Sequence, residues 1–249
     1  DPDDFSAVSD KIDIVYEDEN ILLVDKPVGM VVHEDESGDS DTLINRIKSY
    51  LYHKGEYYPE SELSFAPALC NRIDRNTCGI VIAAKNAEAL RILNQKIRDR
   101  ELTKLYLCIA CGKVTPDSAT LTAYLEKNSD ANTVKISDKK TKSNLTIKTK
   151  YKVIAYNGEN SLLKVDLLTG RTHQIRAHLA YIGHALLGDG KYGNNKLNKK
   201  YGFKYQALCS YELQFKFTTD AGCLSYLDRK CFKAKAPDFV KMFGGNIKL

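Results

Sequence analysis

The chain predicts an α+β fold, with a mixed, largely antiparallel central sheet and flanking helices. Strand-like runs dominate it, Asn157-Gly158 lies between two of them as hairpin turns do, and no internal repeat or low-complexity segment interrupts the pattern. At 249 residues it is long enough to bury a sizeable core without staples, as one large domain or two small ones. The expected division is an acidic tail or linker over residues 1–12 and a single domain over residues 13–249.

The elements follow in order. Ile21-Leu22-Leu23-Val24 reads as a buried strand, closed by a turn at Lys26-Pro27-Val28-Gly29. Val31-Val32-His33 is expected to continue extended, residues 34–41 to form an acidic loop, and Leu43 to Leu51 a helix. Ile80 to Ala84 is a further strand. Asn86 is a plausible N-cap for a helix that turns Leu90, Leu93 and Ile97 inward and carries Arg91, Lys96, Arg98 and Arg100 elsewhere. Strands are expected at Leu105–Ala110, Thr146–Ala155 and Leu162–Leu168, and a helix from about Thr172 to Ile182 that stops at Gly183.

Charge is unevenly distributed. The chain has a net charge of +5, yet residues 1–41 hold 14 acidic and 2 basic side chains, a balance of −12 that leaves +17 on the remainder. Two lysine-rich stretches carry much of it, Lys139 through Lys152 and Lys191 through Lys204. Such a body suits a polyanion such as nucleic acid, and solvated lysine loops would look the same. No apolar stretch approaches the roughly 20 residues of a membrane helix. No leader pattern opens the chain, and its start at Asp1 rather than Met leaves upstream residues expected. Of seven cysteines only Cys108 and Cys111 form a CxxC, on a strand-like run where i and i+3 face opposite ways. No zinc site follows, and reduced thiols in a cytoplasm fit best.

Three segments are candidates for chemistry. In Asn71-Arg72-Ile73-Asp74-Arg75-Asn76-Thr77-Cys78-Gly79 one carboxylate stands between two arginines beside a strand. A carboxylate held ionised by cations can act as nucleophile or base; a turn aspartate paired with a surface arginine explains the same pattern. In Thr169 to His178, Arg171, His173 and Arg176 gather at a helix start, where the helix dipole disfavours cations unless a phosphate or buried carboxylate compensates. Arg176 follows apolar Ile175, and Asp74 is the natural partner for a guanidinium buried there. His173 and His178 stand at i and i+5, which excludes a helical zinc pair. Third, Tyr106 in Lys104-Leu105-Tyr106-Leu107-Cys108 could stack on a base or belong to the core.

These pieces resemble the RluA-type pseudouridine synthases from about Ile14 to Phe243. The matching segments are Lys26-Pro27-Val28-Gly29-Met30-Val31-Val32-His33, Asn71–Gly79 with its following strand, Lys104-Leu105-Tyr106, Gly170–His178 and Gly188-Asp189-Gly190-Lys191-Tyr192-Gly193. Each alone is unspecific; together and in this order they are specific. The resemblance implies a pseudouridine synthase fold with an RNA-binding cleft, a catalytic Asp74, Tyr106 stacking on the target base, and Arg176 paired with the aspartate. It places Arg72 near the displaced base and puts Asn71, Arg75, Arg171 and His173 among the RNA contacts. Family members commonly have His at position 71, Leu at 73 and Ser at 78, where this chain has Asn71, Ile73 and Cys78. An N-terminal S4 RNA-binding domain, common in relatives, is not visible, and the acidic start could be a remnant of a linker to one.

The implied reaction converts uridine to pseudouridine in RNA after flipping the base out, with ribosomal RNA ranked ahead of transfer RNA. No metal and no organic cofactor is expected, since nothing is oxidised and no group is supplied. The expected protein is a cytoplasmic monomer that engages no membrane. A non-catalytic RNA-binding or ribosome-assembly factor on the same fold is the alternative; binding alone does not require Asp74, Tyr106 and Arg176 together.

Overall fold

The computed structural model describes residues 4–249. In chain order the elements are β1 (Asp13–Glu17), β2 (Ile21–Lys26), α1 (Leu43–Lys54), β3 (Ala68–Leu69), β4 (Cys78–Ala84), α2 (Ala87–Arg98), β5 (Leu102–Cys111), β6 (Ser118–Asn128), β7 (Thr133–Ser137), β8 (Leu145–Tyr156), β9 (Asn160–Leu167), α3 (Gln174–Tyr181), α4 (Asn195–Tyr201), β10 (Leu208–Phe215) and β11 (Cys231–Lys233). Short 3-10 helices cover Asp4–Ala7, Gly222–Leu227 and Asp238–Phe243. The fold class is α+β with largely antiparallel strand pairing, as predicted. The chain divides into two compact units. The first runs to Thr103 and includes Ser210–Lys235; the second comprises Lys104–Cys209 and Ala236–Leu249.

In the first unit the strand order is β1-β2-β4-β10, with β3 also on β4 and β11 on β10. β2 pairs antiparallel with β4 from Ile21 opposite Ala84 to Lys26 opposite Gly79. Residues 21–24 are wholly buried, which is why they read as an unbroken apolar run rather than an alternating one. Leu22, Val24, Leu43, Ile47, Leu51 and Val81 form the core. Phe5, from the segment read as a tail or linker, is packed among them. Residues 31–33, expected extended, form no strand, and Val32 and His33 bend instead. The Val31 and Val32 carbonyls accept from the Leu43 and Ile44 amides at 2.9 and 3.1 Å. These first amides of α1 have no partner within the helix, and the bend supplies it. Thr42 completes the cap by accepting from the Asn45 amide at 3.2 Å.

Asn86 caps α2 as expected, accepting from Ala89 N at 2.8 Å. The buried stripe is Ala89, Ile92, Leu93 and Lys96, one position off the expected one. The difference arises from Lys96, which is fully buried. Its ammonium donates to Glu101 at 3.2 Å, to the Thr219 carbonyl and hydroxyl at 2.9 and 2.8 Å, and to the Asp220 carbonyl at 2.9 Å. A paired and saturated ammonium can sit where a periodicity argument admits only apolar residues.

In the second unit the order is β5-β9-β8-β6-β7, every pair antiparallel. Asn157-Gly158 turns β8 into β9 with Gly158 at φ +94°, and the Asn157 side chain accepts from the Glu159 and Asn160 amides. β6 and β7 alternate buried apolar residues with Thr, Lys and Asn and offer no unbroken apolar run to detect. α3 packs on one sheet face, joining Ile175 and Leu179 to Tyr106, Cys108, Tyr151, Leu163 and Val165. It starts at Gln174 rather than Thr172, because His173 adopts the left-handed conformation at φ 54°, ψ 21°.

At Gly79 the backbone has φ +115°, and an added Cβ would lie 2.1 Å from the Ser210 carbonyl oxygen. Gly79→Ala should therefore destabilise the protein by roughly 3 kcal/mol and lower Tm by roughly 6–12 °C. A melting curve that overlays the wild type would refute this close approach.

Candidate active site

Asp74 begins a tight turn, in which the Thr77 amide donates to the Asp74 carbonyl at 3.0 Å. The turn is held from below. Lys26, fully buried at the end of β2, donates to the carbonyls of Pro27, Met30 and Arg75 at 2.8, 2.7 and 2.9 Å. The Gly29 amide donates to the same Arg75 carbonyl at 2.8 Å. One ammonium thus joins the 27–30 turn to the Asp74 turn. Burial pulls the Lys26 pKa down to about 8, against the charges of Cys78 and Asp74, so the group stays protonated at neutral pH with its three donors matched to three acceptors.

The neighbours of Asp74 divide by role. Arg75 reaches away to Asp35 at 2.8 Å and Ser37 at 3.1 Å, in the acidic loop. Hydrogen bonds from Ser37 and Arg75 hold the Asp35 carboxyl down at about 2. Arg72 is exposed, and no ion pair engages it among the described residues. His33 lies in its field; burial and the charges of Arg72 and Lys48 depress its pKa. Asn71, expected among the RNA contacts, is buried, and its side chain is committed to β4. It accepts from the Ile82 amide at 2.7 Å and donates to the Ile80 carbonyl at 3.4 Å. Position 71 thus extends the strand ladder through a side chain.

In the second unit Tyr106 lies on β5, 7% exposed, facing the α3 side of the sheet. Arg176 is held by Asp189 in a bidentate pair, Nε to Oδ2 at 2.7 Å and Nη2 to Oδ1 at 3.1 Å. Its guanidinium also lies 5.3 Å from the centre of the Tyr192 ring. Asp189 is fully buried and accepts from the Lys191 and Tyr192 amides, each at 2.9 Å. Burial works to raise its pKa, but Arg176 and those amides outweigh it and hold the carboxyl below the usual range. Asp189 is therefore a buried carboxylate of the kind the cationic start of α3 calls for. His173 is pinned by Tyr192, whose hydroxyl is 2.7 Å from Nδ1. The Arg171 side chain is exposed, while its amide donates to the Gln174 side chain at 3.1 Å.

Sequence reasoning passed over Lys26, Asp189, Gln174 and Tyr192 as site residues. Lys26 and Asp189 each stood inside a quoted motif; for Asp189 the available signal was a carboxylate between two glycines, and for Lys26 an ionisable residue shortly after an apolar run and directly before a Pro turn. Gln174 gave none. It accepts from Thr169 and Arg171 and donates to Thr149 at 3.0 Å, and Thr149 is 2.8 Å from Nδ1 of buried His178. Burial brings the His178 pKa to about 4, so the ring is neutral and structural. Among the described residues no group of three or more His, Cys, Asp or Glu could hold a metal ion, and no helix is long and apolar enough to cross a membrane.

A sequence profile described as RNA pseudouridylate synthase matches residues 20–181. An uncharacterized RNA pseudouridine synthase of Mycoplasma genitalium is 38% identical over 215 residues, 84% of this chain and 64% of that protein. The ribosomal large subunit pseudouridine synthase D of Borreliella burgdorferi is 34% identical over 183 residues, 73% of this chain and 55% of that protein. The chain thus spans about 55–64% of the length of these relatives. Among solved structures, human RNA pseudouridylate synthase domain containing 4 shares the fold at TM-score 0.72 and 18% identity, covering 92% of this chain and 90% of that one. Human RNA pseudouridylate synthase domain containing 1 does so at 0.70 and 22%, covering 92% and 84%.

Two outcomes follow from the buried charges. Lys26→Met should leave the buried Pro27 and Met30 carbonyls without that donor, and the Arg75 carbonyl with the Gly29 amide alone, and destabilise the fold by about 3 kcal/mol. Chemical denaturation reads this, and an unchanged midpoint would refute it. Asp189→Asn should cost about 3–5 kcal/mol at neutral pH by stranding Arg176. Because the folded Asp189 pKa is depressed, its contribution is present above the unfolded value, about 4, and is lost as pH falls through the folded value. The stability gap between wild type and Asp189→Asn should therefore narrow below about pH 4; a gap constant down to pH 2 would contradict the ionised pair.

Proposed function

The chain belongs to the RluA-type RNA pseudouridylate synthase family, and on that premise we propose that it isomerises uridine to pseudouridine within RNA. The observation that carries this reading is the Asp74 turn, positioned by backbone carbonyls gathered on a buried ammonium. A carboxylate so placed is preorganised for chemistry at a sugar carbon.

The reaction breaks the N1–C1′ bond, turns the uracil and joins C5 to C1′; C5 then loses its proton and N1 regains one. Asp74 either attacks C1′ or removes the C2′ proton to give a glycal. Tyr106 stacks on the flipped uracil and assists proton transfer at C5. Arg176, held in one orientation by Asp189, is assigned to the catalytic set with Asp74 and Tyr106. Arg72 and Arg171, both exposed, are free to meet RNA; Arg75 is available on exchanging Asp35 for a phosphate, and His173 presents its ring from the start of α3. Ribosomal RNA is the preferred substrate, a choice supported by the name of the Borreliella burgdorferi relative.

Wild-type protein should release tritium from RNA labelled at C5 of uracil, and Asp74→Ala should lower that rate by about a thousandfold or more while still binding RNA. Full activity in Asp74→Ala would remove the aspartate from the mechanism, and RNA binding without release in the wild type would identify a non-catalytic RNA-binding factor. A primary isotope effect from deuterium at C2′ distinguishes the glycal route from attack at C1′.

A further inference from the structure

The second unit's sheet has two unlike faces. One carries Tyr106, Tyr151 and Val165 against α3. On the other, β8 exposes Lys148, Lys150 and Lys152 in one row. Residues two apart on a strand lie about 6.7 Å apart, so three like charges stand side by side. Opposite them on β6 are Thr122, Thr120 and Ser118, in register and exposed. On the other flank, β9 places Lys164 beside Lys152 and Asp166 beside Lys150. The row therefore sets three exposed ammonium groups beside three exposed hydroxyls, with half-buried Lys164 and Asp166 on its β9 flank.

Stability does not account for this row. Lysine is a poor strand former, and adjacent like charges weaken a sheet. Edge protection does not account for it either, since β8 lies between β9 and β6. Acidic residues on β6 would have neutralised the row, and hydroxyl donors stand there instead. Among the described residues no ion pair engages Lys148, Lys150 or Lys152. A surface made almost wholly of donors suits a phosphodiester backbone, which offers only acceptors and negative charge.

We infer that this face is a second RNA-binding surface, gripping phosphates of a part of the substrate remote from the reacting uridine. The inference rests on the RNA reading above and narrows its substrate class. RNA that meets Tyr106 on one face of the sheet and the lysine row on the other must be large and folded enough to reach around the unit. A short hairpin serves the first face alone.

The test compares wild type with Lys148→Gln/Lys150→Gln/Lys152→Gln in binding to a long structured transcript and to a short uridine-bearing hairpin across a salt series. The triple variant should show a slope of log affinity against log salt that is shallower by about 2–3 on the transcript and unchanged on the hairpin. Lys148→Arg/Lys150→Arg/Lys152→Arg should keep the wild-type slope, which separates loss of charge from loss of fold. Equal slopes for wild type and Gln variant on the transcript, or an equal loss on the hairpin, would overturn the inference. So would polyglutamate binding the row as well as the transcript does, which would assign it to an acidic polypeptide. Binding is read without turnover, so a protein that shows the expected slopes but releases no tritium loses the catalytic reading and keeps this one.

Discussion

The Lys26 ammonium, enclosed by the carbonyls of Pro27, Met30 and Arg75, is the constraint on which the Asp74 turn depends. Taking an ammonium out of water is costly, and only saturation with acceptors offsets it. The three carbonyls come from two turns distant in sequence, so neither turn can shift without leaving a charge unsatisfied. A loop placed by packing alone would relax through many small adjustments. One placed around a buried ion has few alternatives, because each requires breaking a charge-assisted hydrogen bond.

The same device recurs. Arg176 is fixed by Asp189 in the second unit, and Lys96 by Glu101 and the Thr219–Asp220 carbonyls in the first. In each case a long flexible cation gains a single orientation by being buried among fixed acceptors. For Arg176 the planar fork matters, since both contacts to Asp189 must form together. Asp189 is itself held by the Lys191 and Tyr192 amides. The glycines on either side make this geometry possible: at Gly188 an added Cβ would lie 1.9 Å from the Tyr205 carbonyl oxygen, and at Gly193 it would lie 2.3 Å from the Asp189 carbonyl oxygen.

Much of this was legible from the sequence. The buried run 21–24, the Asn86 cap and the Asn157-Gly158 hairpin are local signals, and local signals survive folding. The Asp74 and Arg176 segments were marked by charge where charge is disfavoured. What escaped is non-local. Lys96 was placed off the inward stripe because nothing near it in sequence announces Thr219 and Asp220 as its acceptors. Val31 and Val32 read as extended because their carbonyls' partners, the first amides of α1, lie some twelve residues away. Asn71 looked like a contact for RNA, since a side chain completing a strand ladder leaves no mark in the chain. β6 and β7 were invisible for another reason: with one face open to solvent, their apolar residues are too few to stand out.

The Gln174–Thr149–His178 chain has a consequence for the conditions under which the protein can operate. It docks α3 on β8 through groups that are uncharged at neutral pH, and with its pKa near 4 the His178 ring does not titrate between pH 5 and 8. Because the folded His178 pKa lies below its unfolded value of about 6.5, the unfolded chain binds the proton first, and this docking contributes less to stability as pH falls below about 6.5. In the folded protein the ring stays neutral down to about pH 4, so acidification acts on the scaffold beneath Arg176 by favouring the unfolded chain rather than by charging the helix face in place.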